Sequence, residues 1–148
     1  MFERIDVASI SFAPVKFALE ANADRLELMF RKAADGGAQL ALAPEGVLEG
    51  YVVMDIIEGR VEAQRMREVA VTIRSRMVDR FRDLARELNM CLAFGLAERI
   101  GEEIYNSAVF IDHSGRLCGK YHKMQLAEGY HQSWWYNRLG KKSRAFDT

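Results

Sequence analysis

Apolar and polar positions follow two different periods along the chain, and together they predict an α/β domain. Residues 5–12 are apolar and β-branched without a helical stripe, and predict a first strand that ends at Ala13-Pro14. In residues 19–34 the apolar positions recur every three or four residues, which predicts an amphipathic helix ending at Asp35-Gly36-Gly37. The short apolar run at residues 40–43 then predicts a second strand, buried on both faces.

The order strand, helix, strand with short links is typical of a βαβ crossover. The two strands are therefore predicted to be parallel neighbours, with the helix covering one face of the sheet. Residues 52–72 mix apolar and charged positions and predict only a loop followed by a short helix. Residues 75–88 carry a clear apolar stripe and predict a second amphipathic helix, closed by Asn89.

The second half of the chain predicts further strands. Residues 90–96 form an apolar run in which Gly95 permits close backbone approach. Residues 104–111 and 117–121 predict an antiparallel hairpin, because turn-forming residues separate them. Residues 145–148 resemble the start of another strand. Without a repeat or linker, residues 1–148 are predicted to form one domain, or part of one.

Composition narrows the class of protein without identifying it. The 148 residues hold equal numbers of basic and acidic side chains, so no polyanionic partner such as nucleic acid is implied. No segment resembles a membrane span or a signal peptide, so we predict a cytoplasmic protein without a membrane partner. Cys91 and Cys118 lack both a metal-ligand spacing and a secretory context, and are predicted to be reduced, buried structural residues.

Glu45 is the first candidate for chemistry. It directly follows the strand that Pro44 ends, and ligands bind at the carboxyl ends of strands in α/β sheets. A partly desolvated glutamate there suits a general base. The alternative is a glutamate that caps a helix or pairs with an arginine, and this stretch alone leaves both interpretations open.

Three motifs, taken in order, favour the general base as the role of Glu45. Glu45 lies in a Pro-Glu-Gly turn followed by Gly50-Tyr51, a Tyr-Asn-Ser-Ala segment follows at residues 105–108, and Gly-Lys-Tyr-His-Lys follows at residues 119–123. With the first strand and helix, they make the chain resemble the nitrilase superfamily of carbon-nitrogen hydrolases over nearly its whole length.

The resemblance implies a fold and a catalytic set. The implied fold is an α/β architecture, a four-layer αββα sandwich. The implied enzymes act on amides, carbamoyl amines or nitriles through a glutamate, a lysine and a cysteine that forms a thioester. Glu45 matches the general base and Lys123 matches the lysine. Outside the motif, Lys123 would be interpreted as an exposed strand-end lysine.

The third member is expected in a motif of the form G-x-x-I-C-[WY]-[DE], which the sequence does not contain. Cys91 and Cys118 both precede Lys123 and lack that context, so no nucleophile is assigned in this chain. Residues 1–148 are therefore predicted to be the N-terminal half of an incomplete sandwich, lacking the nucleophile-bearing C-terminal half and inactive alone.

Other site residues are implied more loosely. Glu128 is the candidate for a second glutamate that supports the lysine, although Gln132 fits the same place. Tyr51 and Trp134 are candidates for the substrate pocket, since aromatic side chains offer apolar walls with polar tips; packing of a loop on the core is the alternative for Trp134 and its aromatic neighbours.

The scheme requires no metal and no organic cofactor. A metal site from His122, Glu128 and His131 is not favoured, because their spacing fits no usual ligand pattern. The other function considered is a non-catalytic truncated pseudoenzyme that acts as a binding or dimerisation module. A sandwich cut partway would leave bare apolar surface and strand edges, so a homo-oligomer is expected.

Overall fold

A computed structural model describes residues 4–125, 138–143 and 145 as one five-stranded sheet with helices. The predicted positions Glu128 and Trp134, with Gln132, His131 and the strand expected at 145–148, lie wholly or mostly outside these residues. The elements in chain order are β1 (Val7–Ser9), α1 (Leu19–Asp35), β2 (Leu40–Leu42), α2 (Val53–Ile57), α3 (Gln64–Val69), α4 (Arg76–Leu88), β3 (Cys91–Ile100), β4 (Glu103–Ile111) and β5 (Leu117–His122).

The strands lie in the order in which they occur along the chain. The parallel pairing of β1 with β2 confirms the predicted βαβ crossover, and β3 continues the parallel arrangement. β4 pairs antiparallel with β3 and with β5, which confirms the hairpin predicted near the end. The sheet therefore changes from parallel to antiparallel at β3.

The core lies between one face of this sheet and the helices α1 and α4. Phe30 of α1, Phe81 of α4 and Phe94 of β3 are all fully buried and meet at its centre. The rings of Phe81 and Phe94 have centroids 4.7 Å apart, and Phe30 meets Phe81 edge-on at 6.0 Å. These aromatic contacts fix the helical layer on the sheet.

Three sequence expectations need correction. The strand expected to be buried on both faces is β2, where Ala41 is buried but Leu42 is 42% exposed, because helices cover only one face. Residues 52–72 contain two short helices, α2 and α3, rather than one. Cys91 and Cys118 are half-buried instead of buried.

The face of the sheet opposite the helices carries exposed apolar side chains. Val7, Leu42 and Tyr121 are 50%, 42% and 39% exposed. Association of chains through this face stays a prediction, which light scattering on the isolated chain tests. Within the described residues, no helix is long and apolar enough to cross a membrane.

The turn between β4 and β5 is organised by the buried carboxylate of Asp112. Its Oδ1 accepts hydrogen bonds from the backbone nitrogens of Ser114 and Arg116, both at 3.0 Å, and from the Ser114 hydroxyl at 2.6 Å. Its Oδ2 accepts from Nε of Arg116 at 2.9 Å. Burial alone would raise the pKa of Asp112, but the bonds from Ser114 and Arg116 hold it well below its usual range.

This carboxylate should make the protein sensitive to acid. A folded-state pKa below the unfolded value contributes stability above the unfolded pKa of about 3.9, and that contribution is lost as pH falls further. We expect the urea midpoint of the wild-type protein to fall more steeply below about pH 4 than that of the Asp112→Asn variant. The exposed Asp35→Asn change is the control; equal acid slopes in wild type and Asp112→Asn would contradict the assignment.

Candidate active site

Glu45 lies in a tight turn directly after β2, at the carboxyl end of the parallel strands. The turn is closed by backbone bonds from the nitrogens of Gly50 and Tyr51 to the carbonyl of Gly46, at 3.0 and 2.9 Å. Gly46, Gly50 and Tyr51 all have positive φ, which glycine adopts without strain and tyrosine adopts at a cost. The local sequence therefore sets a sharp change of direction immediately beyond Glu45.

This turn rests on β3 at Gly95. The Gly95 nitrogen donates to the Pro44 carbonyl at 3.1 Å. A Cβ at position 95 would lie 2.6 Å from the Glu45 Cα and 2.7 Å from the Gly46 nitrogen. The close backbone approach expected at Gly95 is thus confirmed, and it seats the Glu45 turn on the sheet.

Glu49 fixes the far end of the turn to β3. Glu49 is 1% exposed, and its Oε2 accepts a hydrogen bond from the backbone nitrogen of Ala97 on β3 at 3.1 Å. Buried carboxylates persist in proteins when they are hydrogen-bonded in this way. Glu45 is consequently anchored on both sides, with β3 contacting the chain before and after it.

Lys123, the residue after β5, reaches the Glu45 carboxylate. Its Nζ donates to both oxygens, at 3.0 Å to Oε1 and 2.9 Å to Oε2. The side chains are 37% exposed for Glu45 and 28% for Lys123, so the pair is partly desolvated and open on one side. The structure therefore joins two residues that lie 78 positions apart and in two different motifs, and Glu45 pairs with a lysine instead of an arginine.

Asn106 of β4 completes this cluster. Its Nδ2 donates to Oε1 of Glu45, and its backbone carbonyl accepts from the Lys123 nitrogen at 2.8 Å. With donors on either side, the carboxylate has a fixed orientation. Asn106 lies in the Tyr-Asn-Ser-Ala segment at residues 105–108, but the sequence alone predicted no role for it.

A cavity of about 410 Å³ opens beside the cluster on the sheet face away from α1 and α4. Glu45 and Lys123 supply its charged groups, and Asn106 and Gln125 supply its amide groups. Leu42 and Tyr121 are among its apolar walls. A few convergent polar groups in a mainly apolar cavity are typical of a small-molecule site. Tyr121, like Asn106, was missed as a site residue, and only its place in the Gly-Lys-Tyr-His-Lys motif signalled it.

Tyr51 lies next to Glu45, across Gly46. A Cβ on Gly46 would be 3.0 Å from Cδ2 of Tyr51. Burial raises the pKa of the Tyr51 hydroxyl, the Glu45 charge raises it further, and Lys123 opposes both. The charges of Glu45 and Lys123 therefore act on the Tyr51 hydroxyl, although the residue is 45% exposed. Its role in substrate binding stays a prediction.

Neither described cysteine is placed to act with Glu45. Cys91 begins β3 opposite Leu40, at the other end of the strands. Cys118 donates its thiol to Oδ2 of Asp112 at 3.4 Å; burial and that carboxylate raise the pKa of the thiol, which disfavours a thiolate. Both results agree with the expectation that these residues are structural.

The described residues contain no group of three or more His, Cys, Asp and Glu side chains arranged to hold a metal ion. The cluster consists of a carboxylate, Glu45, bound to an ammonium group, Lys123, beside an open cavity. That arrangement suits proton transfer coupled to stabilisation of a developing negative charge.

Comparisons with known proteins cover most of this chain. A family model described as carbon-nitrogen hydrolase matches residues 6–144. An arylacetonitrilase from Trametes versicolor is 30% identical over 134 residues, which cover 84% of this chain and 42% of that protein. A bromoxynil-specific nitrilase from Klebsiella pneumoniae subsp. ozaenae is 31% identical over 112 residues, covering 73% of this chain and 32% of the nitrilase.

Solved structures give the same result for the fold. An amidase from Nesterenkonia sp. AN1 superposes with a TM-score of 0.72 at 24% identity, covering 94% of this chain and 51% of the amidase. The chain spans half or less of the length of these curated relatives. Since the family model covers nearly all of it, the protein belongs to the carbon-nitrogen hydrolases of the nitrilase superfamily.

Proposed function

We propose that this chain is the N-terminal part of a cysteine-dependent hydrolase that cleaves non-peptide carbon-nitrogen bonds of a small amide, carbamoyl amine or nitrile. The observation that carries the proposal is the hydrogen-bonded pair of Glu45 and Lys123 at the mouth of a partly apolar cavity. A general base and an oxyanion donor on rigid strand ends are two of the three parts that such a reaction needs.

The third part is a thiol supplied by residues beyond the 148 present here. In an amide, the thiol sulfur attacks the carbonyl carbon while Glu45 takes the thiol proton. The oxyanion that forms is stabilised by the Lys123 ammonium, and collapse of the intermediate expels the amine, which leaves with the proton from Glu45. A thioester remains. Glu45 then takes a proton from water, whose oxygen attacks the thioester. The carboxylic acid is released, and the leaving sulfur takes the proton back from Glu45, which regenerates the thiol.

A nitrile follows the same route with one more water. The thiol adds across the carbon-nitrogen triple bond to give a thioimidate, and water converts this to the thioester with release of ammonia. A second water gives the carboxylic acid. Lys123 is suited to both substrates because the negative charge develops on the atom that was doubly or triply bonded to carbon.

Relatives support this chemistry. The nitrilases from Trametes and Klebsiella are named as enzymes that act on nitriles. The structure of an amidase from Nesterenkonia sp. AN1 has been solved with acrylamide added at its active-site cysteine. The whole relatives are about twice the length of this chain, so the corresponding cysteine is expected in the other half.

The test uses protein made from the full coding region. Amides such as acrylamide and butyramide, and an arylacetonitrile, are incubated with it while ammonia is measured; mass spectrometry detects an acyl group on cysteine. We expect ammonia release and a thioester adduct, with neither produced by residues 1–148 alone. Ammonia release without any covalent adduct would overturn the cysteine mechanism.

The second candidate is a non-catalytic binding or dimerisation module, which the exposed apolar sheet face favours. The coding DNA past codon 148 separates the two. An open frame with the cysteine motif supports the hydrolase, whereas a stop codon leaves a protein with a base and a lysine but no nucleophile, and supports the module.

A further inference from the structure

A buried carboxylate that the proposed reaction does not use lies behind the Glu45–Lys123 pair. Glu98 of β3 is 1% exposed. Its Oε2 accepts from the Ser107 hydroxyl at 2.9 Å and lies 2.7 Å from Nε2 of His122, and its Oε1 accepts from the Lys120 ammonium. A carboxylate can only accept, so Nε2 of His122 carries a proton. Glu98 thus binds three donors from β4 and β5.

These donors are chain neighbours of the residues that bind Glu45. Ser107 faces His122 in the β4–β5 register, and the adjoining positions are linked by the Lys123 nitrogen, which donates to the Asn106 carbonyl at 2.8 Å. Successive strand residues point to opposite faces. The Glu98 cluster therefore lies on one face, directly behind the Asn106 and Lys123 side chains on the other.

The register at this point is not set by the hairpin turn alone. The β4–β5 ladder has an irregularity between Phe110 and Ile111, close to the turn. A one-residue slip would send every side chain beyond it to the wrong face. A buried charge that accepts from Ser107, Lys120 and His122 at once penalises such a slip, because the slipped strands would leave that charge without partners.

The backbone at Lys123 is also confined from its other side. The Tyr105 ring stacks on His122 with centroids 4.1 Å apart. The Gly140 nitrogen donates to the Lys123 carbonyl at 3.0 Å, and a Cβ on Gly140 would clash with the His122 carbonyl oxygen. His122 is therefore held between neighbours, and any movement of His122 is passed on to Lys123.

We propose that Glu98 is a positioning residue for the Glu45–Lys123 pair. Its charge fixes Ser107 and His122 on one face of the sheet, and Asn106 and Lys123 then meet the Glu45 carboxylate on the other. The geometric part of this inference stands without the proposed function, whereas its kinetic consequence rests on that function.

The test is the isosteric change Glu98→Gln in the full-length protein. The change keeps the shape of the side chain but replaces one acceptor oxygen by an NH2 group. This NH2 group is a donor, and it would face the Ser107, Lys120 and His122 donors. We expect a crystal structure to show Lys123 Nζ beyond about 3.5 Å from the Glu45 carboxylate, past hydrogen-bond range. We expect kcat to fall about tenfold to a hundredfold, with KM changed less than about twofold, because the misplaced groups act on the reacting atoms.

Glu27→Gln is the matched control. Glu27 is a half-buried glutamate of α1 that accepts from Arg31 at 2.7 Å and from Arg80 at 2.8 Å, on the helical side of the core. We expect this variant to lose stability while kcat and the Lys123 contact stay as in wild type. If Glu98→Gln fails to fold, Ser107→Ala removes a single donor from Glu98, and a smaller displacement of Lys123 in the same direction supports the proposal.

Two results would overturn it. One is a folded Glu98→Gln or Ser107→Ala protein in which Lys123 still contacts Glu45 and kcat is unchanged. The other is an equal loss of kcat in Glu27→Gln, which would make the effect one of stability only. If the wild-type protein releases no ammonia from any substrate, the proposed function fails, and the Lys123–Glu45 distance in the variants still decides the role of Glu98.

Discussion

The Glu45→Gln variant of the full-length protein is expected to lose about a hundredfold to ten-thousandfold in kcat/KM, the usual contribution of a general base. Glutamine keeps the size of the side chain and can still accept from Asn106. It cannot take the thiol proton or activate water, which are the steps assigned to Glu45. The loss should therefore appear in kcat more than in KM.

The measurement is ammonia release over a range of substrate concentrations up to saturation, which gives kcat and KM separately, with thermal unfolding recorded alongside. Glu20→Gln is the control, because Glu20 lies on α1 with its side chain 83% exposed and away from the cavity. The double variant Glu45→Gln with Lys123→Met should lose little more than Glu45→Gln alone, because residues that act as a unit are not additive. Substantial turnover by Glu45→Gln with an unchanged fold would refute the base assignment.

The ends of a helix could be predicted from the sequence where the capping residues lie within a few positions of those ends. The helix α4 was predicted nearly to its ends because Ser75 caps it, accepting from the Val78 nitrogen, and Asn89 closes it in the left-handed conformation. Helices α2 and α3 have no side-chain cap at Val52 or Ala63. Their ends are set by packing, so the sequence offered no start signal for two separate helices.

The full length of β3 and the role of Glu98 depend on contacts between different strands. The apolar run at residues 90–96 predicted a strand there, whereas β3 extends to Ile100 and includes Glu98. Glu98 is buried there with hydrogen-bond partners supplied by Ser107, Lys120 and His122, which lie 9, 22 and 24 residues further along the chain. Its role could not be predicted before the sheet register was known.

The site itself was predicted in part. Glu45 and Lys123 were found through motifs, since neither residue alone differs from an ordinary surface charge. Asn106 and Tyr121 were in the same motifs, yet their approach to the cavity depends on the β4–β5 register. The exposure of Leu42 could not be predicted either, because it depends on what covers the second face of the sheet.

Gly95→Ala is expected to displace the turn that carries Glu45. The new methyl group would lie 2.6 to 2.8 Å from backbone atoms of Glu45, Gly46 and Pro44, none of which can rotate away as a side chain would. The turn must move off β3. Overpacking of this kind costs about 1–3 kcal/mol of folding free energy, and a displacement of Glu45 by about 1 Å lowers kcat about a hundredfold.

Gly101→Ala provides a control matched for stability. Gly101 has φ of 60° in the β3–β4 turn, and a Cβ there would meet no atom within 4 Å, so the change adds backbone strain without moving the site. Urea unfolding and ammonia release are measured on both variants. We expect similar losses of stability but a loss of kcat only in Gly95→Ala, because the turn that carries Glu45 rests on Gly95. Equal kcat values would mean that the turn tolerates displacement, and that Lys123 and Asn106 follow Glu45 when it moves.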